Sequence, residues 1–176
     1  MMCLAAIAFP VLANTIARIK VRTTMGELSG LVQNCRSIAV RKDKTKSVHF
    51  ATASGLPVAF TQDCCQAADI SAIIPGEDKP LYLPTGFSVA SSGIPTPLVT
   101  ATIWGNSSTP ATTDITYNSR GIPCDLSTTP CSGPKGFVEY LKYRSSGDKD
   151  YWIALTVSPA GRVKVYYWND SNQWGN

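Results

Sequence analysis

The sequence predicts an α+β chain, a long N-terminal helix followed by an antiparallel, β-sandwich-like globule. Three observations point to it. Residues 1–13 are wholly apolar and lead, across Pro10, into a stripe of apolar side chains at helical spacing. From about residue 46 the pattern changes to short β-rich runs broken by Gly, Pro, Ser and Asn. Residues 137–168 then hold three such runs in succession, joined by turn signals. The chain therefore divides into 1–46, a hydrophobic and amphipathic helix with a basic loop, and 47–176, a β-rich globule.

The helical stripe runs through Val21, Met25, Leu28, Val32, Cys35 and Ala39, widened by Leu31 and Ile38. Gly26 and Gly30 lower its intrinsic propensity by about 1 kcal/mol each, so the helix depends on tertiary packing. Pro10 is the one position expected to bend a rod of about 40 residues. The stripe fades at Arg41-Lys-Asp-Lys-Thr-Lys46.

Strands follow at Ser47–Ala53 and Leu56–Thr61, which flank a Ser-Gly hairpin signal. Further short strands are predicted at Ile70–Ile74, Gly86–Ala90, Leu98–Trp104 and Ile115–Tyr117. The C-terminal meander is predicted at Phe137–Tyr143, Tyr151–Val157 and Arg162–Trp168, with Ser158-Pro-Ala-Gly161 as its last turn. Phe137, Glu139, Leu141 and Tyr143 share one strand face.

The 176 residues are 44% hydrophobic and 16% charged, enough apolar material for one core and too much for a disordered chain. Eight Lys and Arg against Glu27 and Asp43 give residues 1–46 a net charge of +6. Eight basic and ten acidic residues give the remainder −2, so the chain is not evenly basic.

His49 is the single histidine, and the alternation of Val48 and Phe50 places it on the opposite strand face, toward solvent. A histidine-based triad or metal site rests on that residue alone, and no G-x-S-x-G, H-E-x-x-H, P-loop or G-x-G-x-x-G occurs. The expectation is a non-enzyme without a cofactor.

The six cysteines include no C-x-x-C pair, which disfavours zinc ribbons and favours an oxidising compartment. Cys124 and Cys131 flank a turn-rich segment that a disulfide can close. Cys35 has Cys64 or Cys65 as possible partners, and Cys3 sits in an apolar run as a free thiol.

Several segments together resemble the minor pilins and pseudopilins of the GspH/FimT type, over essentially the whole chain. Ala5-Ala-Ile-Ala-Phe-Pro10 is similar to the second half of the family's hydrophobic segment. Leu31 to Val40 is similar to its continuation, with Cys35-Arg-Ser-Ile-Ala39 where the family tends to read Ala-Arg-Ser-Glu-Ala. Ile115 to Pro123 resembles a family strand and turn, and Val157-Ser-Pro-Ala-Gly-Arg-Val-Lys-Val165 resembles its C-terminal hairpin.

The resemblance implies a structural subunit of a type IV pilus or type II secretion system. Such a subunit is held in the bacterial inner membrane with its globule in the periplasm or in a cell-surface filament. Its partners are other pilin or pseudopilin subunits. Leu4, Ile7, Phe9, Pro10, Leu12 and Ile16 then belong to the membrane- and filament-packing helix. Arg18, Lys20 and Arg22 sit just outside the membrane core, near headgroups or acidic neighbours, or form an ordinary solvated face. The family's leader, its Gly cleavage site and the start of its mature helix are expected upstream of Met1. They would extend the apolar run to roughly 20 residues.

Some family members bind DNA through Gly-Arg-x-Arg, and Gly161-Arg162-Val163-Lys164 keeps that spacing. Arg162 and Lys164 project from one strand face, able to contact phosphates, with Tyr166, Tyr167 and Trp168 available for stacking. The ordinary alternative is a charged, exposed strand. A third possibility is a secreted β-sandwich binding domain whose residues 1–13 are a signal peptide ending at Val11 and Ala13.

Overall fold

The computed structural model describes residues 2–64, 68–72, 80–98, 114–125, 133–145, 149–169 and 173–175, with side chains from Asn14 onward. Helix α1 spans Met2–Lys42, 41 residues. Val21, Met25, Leu28, Val32, Cys35 and Ala39 of the predicted stripe lie on the core side, each no more than 3% exposed; Ala17, Thr24 and Ile38 are buried with them, and Leu31 is half-buried. Burial is worth roughly 1.5–3 kcal/mol for each large member. That outweighs the roughly 1 kcal/mol lost at each of Gly26 and Gly30. The helix ends through paired backbone bonds, Lys44 N–H to the Ala39 carbonyl at 3.1 Å and Asp43 N–H to the Val40 carbonyl at 3.3 Å. Asp43 takes the left-handed conformation this ending requires, with φ of 52°. Arg41 and Lys42 occupy the last turn, where cations offset the helix dipole.

The strands are β1 (Lys46–Ala53), β2 (Leu56–Asp63), β3 (Leu81–Tyr82), β4 (Phe87–Val89), β5 (Ile115–Tyr117), β6 (Phe137–Arg144), β7 (Asp150–Val157), β8 (Val163–Trp168) and β9 (Trp174–Gly175). They form two antiparallel sheets, ordered β3-β2-β1-β5 and β4-β6-β7-β8-β9. Ser54 and Gly55, both at positive φ, close the β1–β2 hairpin in register Ala53 with Leu56.

One core cluster joins the helix stripe to inward residues of both sheets, among them Val48, Ile115, Tyr117, Phe137, Leu141 and Leu155. A smaller cluster of Val138, Tyr140 and Ala154 covers the other face of the second sheet, with Tyr166 and Trp174 packed on it. The other face of the first sheet is buried as well, through Ser47, His49, Val58, Phe60 and Thr116.

One expected strand needs correction, one falls almost wholly outside the described residues, and two short strands are additional. Ile70–Ala72 is a single turn of 3₁₀ helix and no strand. The Asp69 carboxylate accepts from the Ser71 N–H at 2.8 Å and the Ser71 hydroxyl at 2.7 Å, which curls the backbone. The predicted strand Leu98–Trp104 lies, beyond Leu98, outside the described residues. The two-residue edge strands β3 and β9 carry too few residues to show alternation and were not expected.

Candidate functional site

The turn before β8 is built by short-range bonds. Gly161 N–H donates to the Ser158 carbonyl at 2.7 Å, Ser158 N–H to the Arg162 carbonyl at 2.9 Å, and Arg162 N–H to the Ser158 hydroxyl at 3.0 Å. This chemistry sets Gly161 at φ +80°, where any side chain is strained, and a Cβ there would stand 3.0 Å from the Arg36 guanidinium carbon. Arg36 reaches across from α1 and its Nη1 donates to the Gly161 carbonyl at 3.3 Å. On its other side is Gly121, φ +71°, where a Cβ would meet Val40 Cγ2 at 2.8 Å and Arg36 Nε at 3.2 Å. Two glycines at positive φ, one in each sheet's turns, thus clasp one helix arginine.

Beside that clasp opens a cleft of about 670 Å³ lined by Gln33, Arg36, Ser37, Arg41 and Arg162, with no carboxylate lining it among the described residues. Three guanidinium groups around polar neighbours form an anion-accepting surface, since each presents a planar fork that matches phosphate or carboxylate oxygens. Arg162 and Lys164 are both exposed, while Val163 and Val165 pack on the core, as strand alternation requires. Lys164 stands outside the cleft lining.

The aromatic expectation is only partly met. Tyr166 packs on the outer cluster and Trp168 lies edge-on to Trp174 at 5.2 Å between centroids. Tyr167 points the opposite way, into the helix-side core, so it is unavailable to a ligand on the Arg162 face.

His49 also departs from expectation. It is 1% exposed, with Nδ1 2.8 Å from Asp114 Oδ2 and its ring 5.7 Å from that of Phe60. The alternation is as predicted, but both faces of the first sheet are covered, so the face opposite the core is not solvent. Among the described residues neither ring nitrogen has a partner in hydrogen-bond geometry, so the approach to Asp114 is one of distance only. Nearby Glu139 is buried on the inward face of β6, where desolvation and then the Asp114 carboxylate push its pKa up to about 8. His49 thus belongs to a buried polar group, and it lines none of the clefts at Arg162, Trp152 or Asn118. Ser47, on the same face, is already bonded to the Thr116 hydroxyl at 2.8 Å.

Cys35 is a buried thiol in the same core cluster as Tyr117 and is outside any disulfide, so it is not paired with Cys64 or Cys65. Cys64 and Cys124 are disulfide-bonded. The proposed Cys124–Cys131 pair involves Cys131, outside the described residues. Leu4, Ile7, Phe9, Pro10 and Leu12 are in α1 with side chains outside the described set. Ile16 is 56% exposed and Ile19 59%. Across the described residues, no helix is long and apolar enough to cross a membrane.

Arg36, Arg41 and Asp114 were not anticipated as partners of Arg162 and His49. Arg36 follows the stripe residue Cys35 by one position, which puts it at the edge of the buried face. Its contact with Gly161 spans 125 residues, and no local pattern encodes that. Compared with known proteins, the chain matches no family model, no curated protein and no solved structure.

Proposed function

We propose that this chain is a structural subunit of a filament of the minor pilin or pseudopilin kind, in a type IV pilus or a type II secretion system, and not an enzyme. The observation that carries this reading is the division of α1. Its stripe from Ala17 to Ala39 is buried on the globule, while Ile16 and Ile19 stay exposed directly after an apolar run. A monomer gains nothing from exposing two isoleucines there; a bundle of like helices buries them. In this reading the two sheets are the layers of a β-sandwich displayed outside the cytoplasm, and Cys124 pairs with Cys131. The apolar run is held by the inner membrane before assembly.

The test is cysteine cross-linking in native membranes. Ile16→Cys and Ile19→Cys should give a ladder of multimers of this chain or adducts with sister subunits. A control at the exposed Tyr82 should not. Monomers alone from both helix positions would overturn the filament reading.

A second reading has its own observation, the convergence of Arg36 and Arg41 on Arg162. On this reading the cleft and Lys164 take phosphates of DNA. Replacing Arg162 and Lys164 with Ala should then abolish a salt-sensitive DNA shift. An unchanged shift removes this reading and leaves the first untouched.

A further inference from the structure

Aromatic and cationic side chains gather at one level of the molecule, just past the apolar run. The Tyr151 hydroxyl on β7 donates to Asn14 Oδ1 at 3.2 Å, which ties the sheet to the helix one residue beyond Ala13. Next to it, a cleft of about 490 Å³ is lined by Arg18 and Arg22 of α1 and by Trp152, Tyr167 and Trp168 of the meander. Three ammonium groups sit over rings in the same region. Lys149 is 5.6 Å from the Tyr151 centroid, Lys142 5.5 Å from that of Trp152 and Lys20 5.5 Å from that of Tyr143.

Among the described residues one carboxylate lines the cleft, Asp150. It is engaged by Arg144 at 2.8 and 3.1 Å and by Lys142 at 3.5 Å, which hold its carboxyl below the usual range. The lining cations Arg18, Arg22 and Lys149 therefore outnumber it. At 1.5 Å per residue, Arg18 and Arg22 stand about 8 Å and 14 Å past Ala13 along the helix. A headgroup layer is about 5–8 Å deep, and arginine side chains bridge the remainder. Trp and Tyr at the level of Arg and Lys, next to an apolar helical run, match the chemistry of a membrane interface.

We propose that this cleft docks an anionic phospholipid headgroup, with Arg18 and Arg22 on its phosphate and Trp152 and Trp168 in the interfacial layer. The proposal rests on the reading that residues 1–13 enter a bilayer. It adds that the globule lies against the lipid surface before assembly, which sets the orientation in which the subunit is presented.

The experiment uses the full chain with phosphatidylcholine vesicles, with and without phosphatidylglycerol, read by co-sedimentation and by quenching of Trp emission with headgroup-proximal brominated phosphatidylglycerol. Phosphatidylglycerol should tighten binding. Arg18→Gln with Arg22→Gln should remove about 25-fold of that gain, about fivefold per cation. The charge-matched control at two exposed cations outside both basic clefts, Lys42→Gln with Arg120→Gln, should keep it. Quenching should fall in Trp152→Phe, and circular dichroism confirms that each variant is folded.

Equal binding to both vesicle types overturns the headgroup cleft and leaves the filament reading standing. Equal loss in both charge variants also overturns it, by showing a net-charge effect. Failure to bind either vesicle overturns the proposal and membrane anchoring together. A shift of nucleic acid that needs Arg18 and Arg22, without vesicle binding, overturns it in favour of a nucleic-acid cleft.

Discussion

Glu139 is expected to make the protein less stable as pH rises across the neutral range. It is 8% exposed, on a strand face whose neighbours Phe137, Leu141 and Tyr143 belong to the apolar core. Burial, reinforced by the Asp114 carboxylate, raises its pKa from 4.5 to about 8. The folded state then holds this proton in a range where the unfolded chain has released it. Stability from this group is fully present below about pH 4.5 and is lost progressively up to about pH 8. At 1.36 kcal/mol per pH unit the full span amounts to about 5 kcal/mol, and about 3 kcal/mol of it is gone by pH 7. Against a typical domain stability of roughly 5–15 kcal/mol, that is a large fraction.

Glu139→Gln keeps the shape of the neutral acid and removes the titration. The charged and titratable groups facing this region, Asp114 and His49, are common to both proteins and cancel in the difference. Urea unfolding followed by Trp emission at half-unit steps from pH 4.5 to 8.5 should show the two proteins nearly equal in acid. The variant should be the more stable by several kcal/mol at pH 8. Parallel curves throughout would refute the reasoning, because they would mean that Glu139 is solvated or paired in the folded state.

Three further outcomes are expected. Gly161→Ala forces a Cβ to within 3.0 Å of the Arg36 guanidinium at φ +80°, so it should cost at least 1–2 kcal/mol in thermal unfolding and loosen Arg36; an unchanged melting temperature would contradict the clasp. Leu28→Ala, at 0% exposure midway along the stripe, should cost about 2.5–4 kcal/mol in the midpoint of chemical unfolding. Asp63→Asn removes the carboxylate 2.8 Å from the buried Lys46 ammonium and should cost about 2–3 kcal/mol at neutral pH, less than a fully buried pair because Asp63 is 35% exposed. The Asp63 pKa is lowered, first by its hydrogen bond from Lys46, so this loss should shrink as pH falls below about 4, visible in acid unfolding curves of the two proteins.

How legible the molecule was depends on the range of each interaction. The helix and the C-terminal strands were legible because their information is periodic and local. Val21 to Ala39 recur at 3.6-residue spacing, and Phe137, Leu141 and Tyr143 alternate with Val138 and Tyr140, so burying one face suffices to select the element. The Ser54-Gly55 turn was legible because Gly55 takes positive φ at no steric cost between two β-rich runs, and Ser54 is drawn to positive φ with it. Ile70–Ala72 was misjudged because the decisive bonds come from one side chain, Asp69, which competes with the sheet for the same backbone.

By itself the sequence determined the long helix and the longer strands, which face of each is apolar, and that Arg162 and Lys164 project from one face. Only the tertiary structure decided what stands opposite those faces. It covered both sides of the first sheet and so buried His49 against Asp114, and it left Cys35 a core thiol. It also brought Arg36 to Gly161 and Tyr151 to Asn14, contacts spanning 125 and 137 residues. The physical reason is that periodicity assigns a side chain to a face, whereas its charge state, partners and exposure depend on the neighbouring layer, which lies far away in the chain.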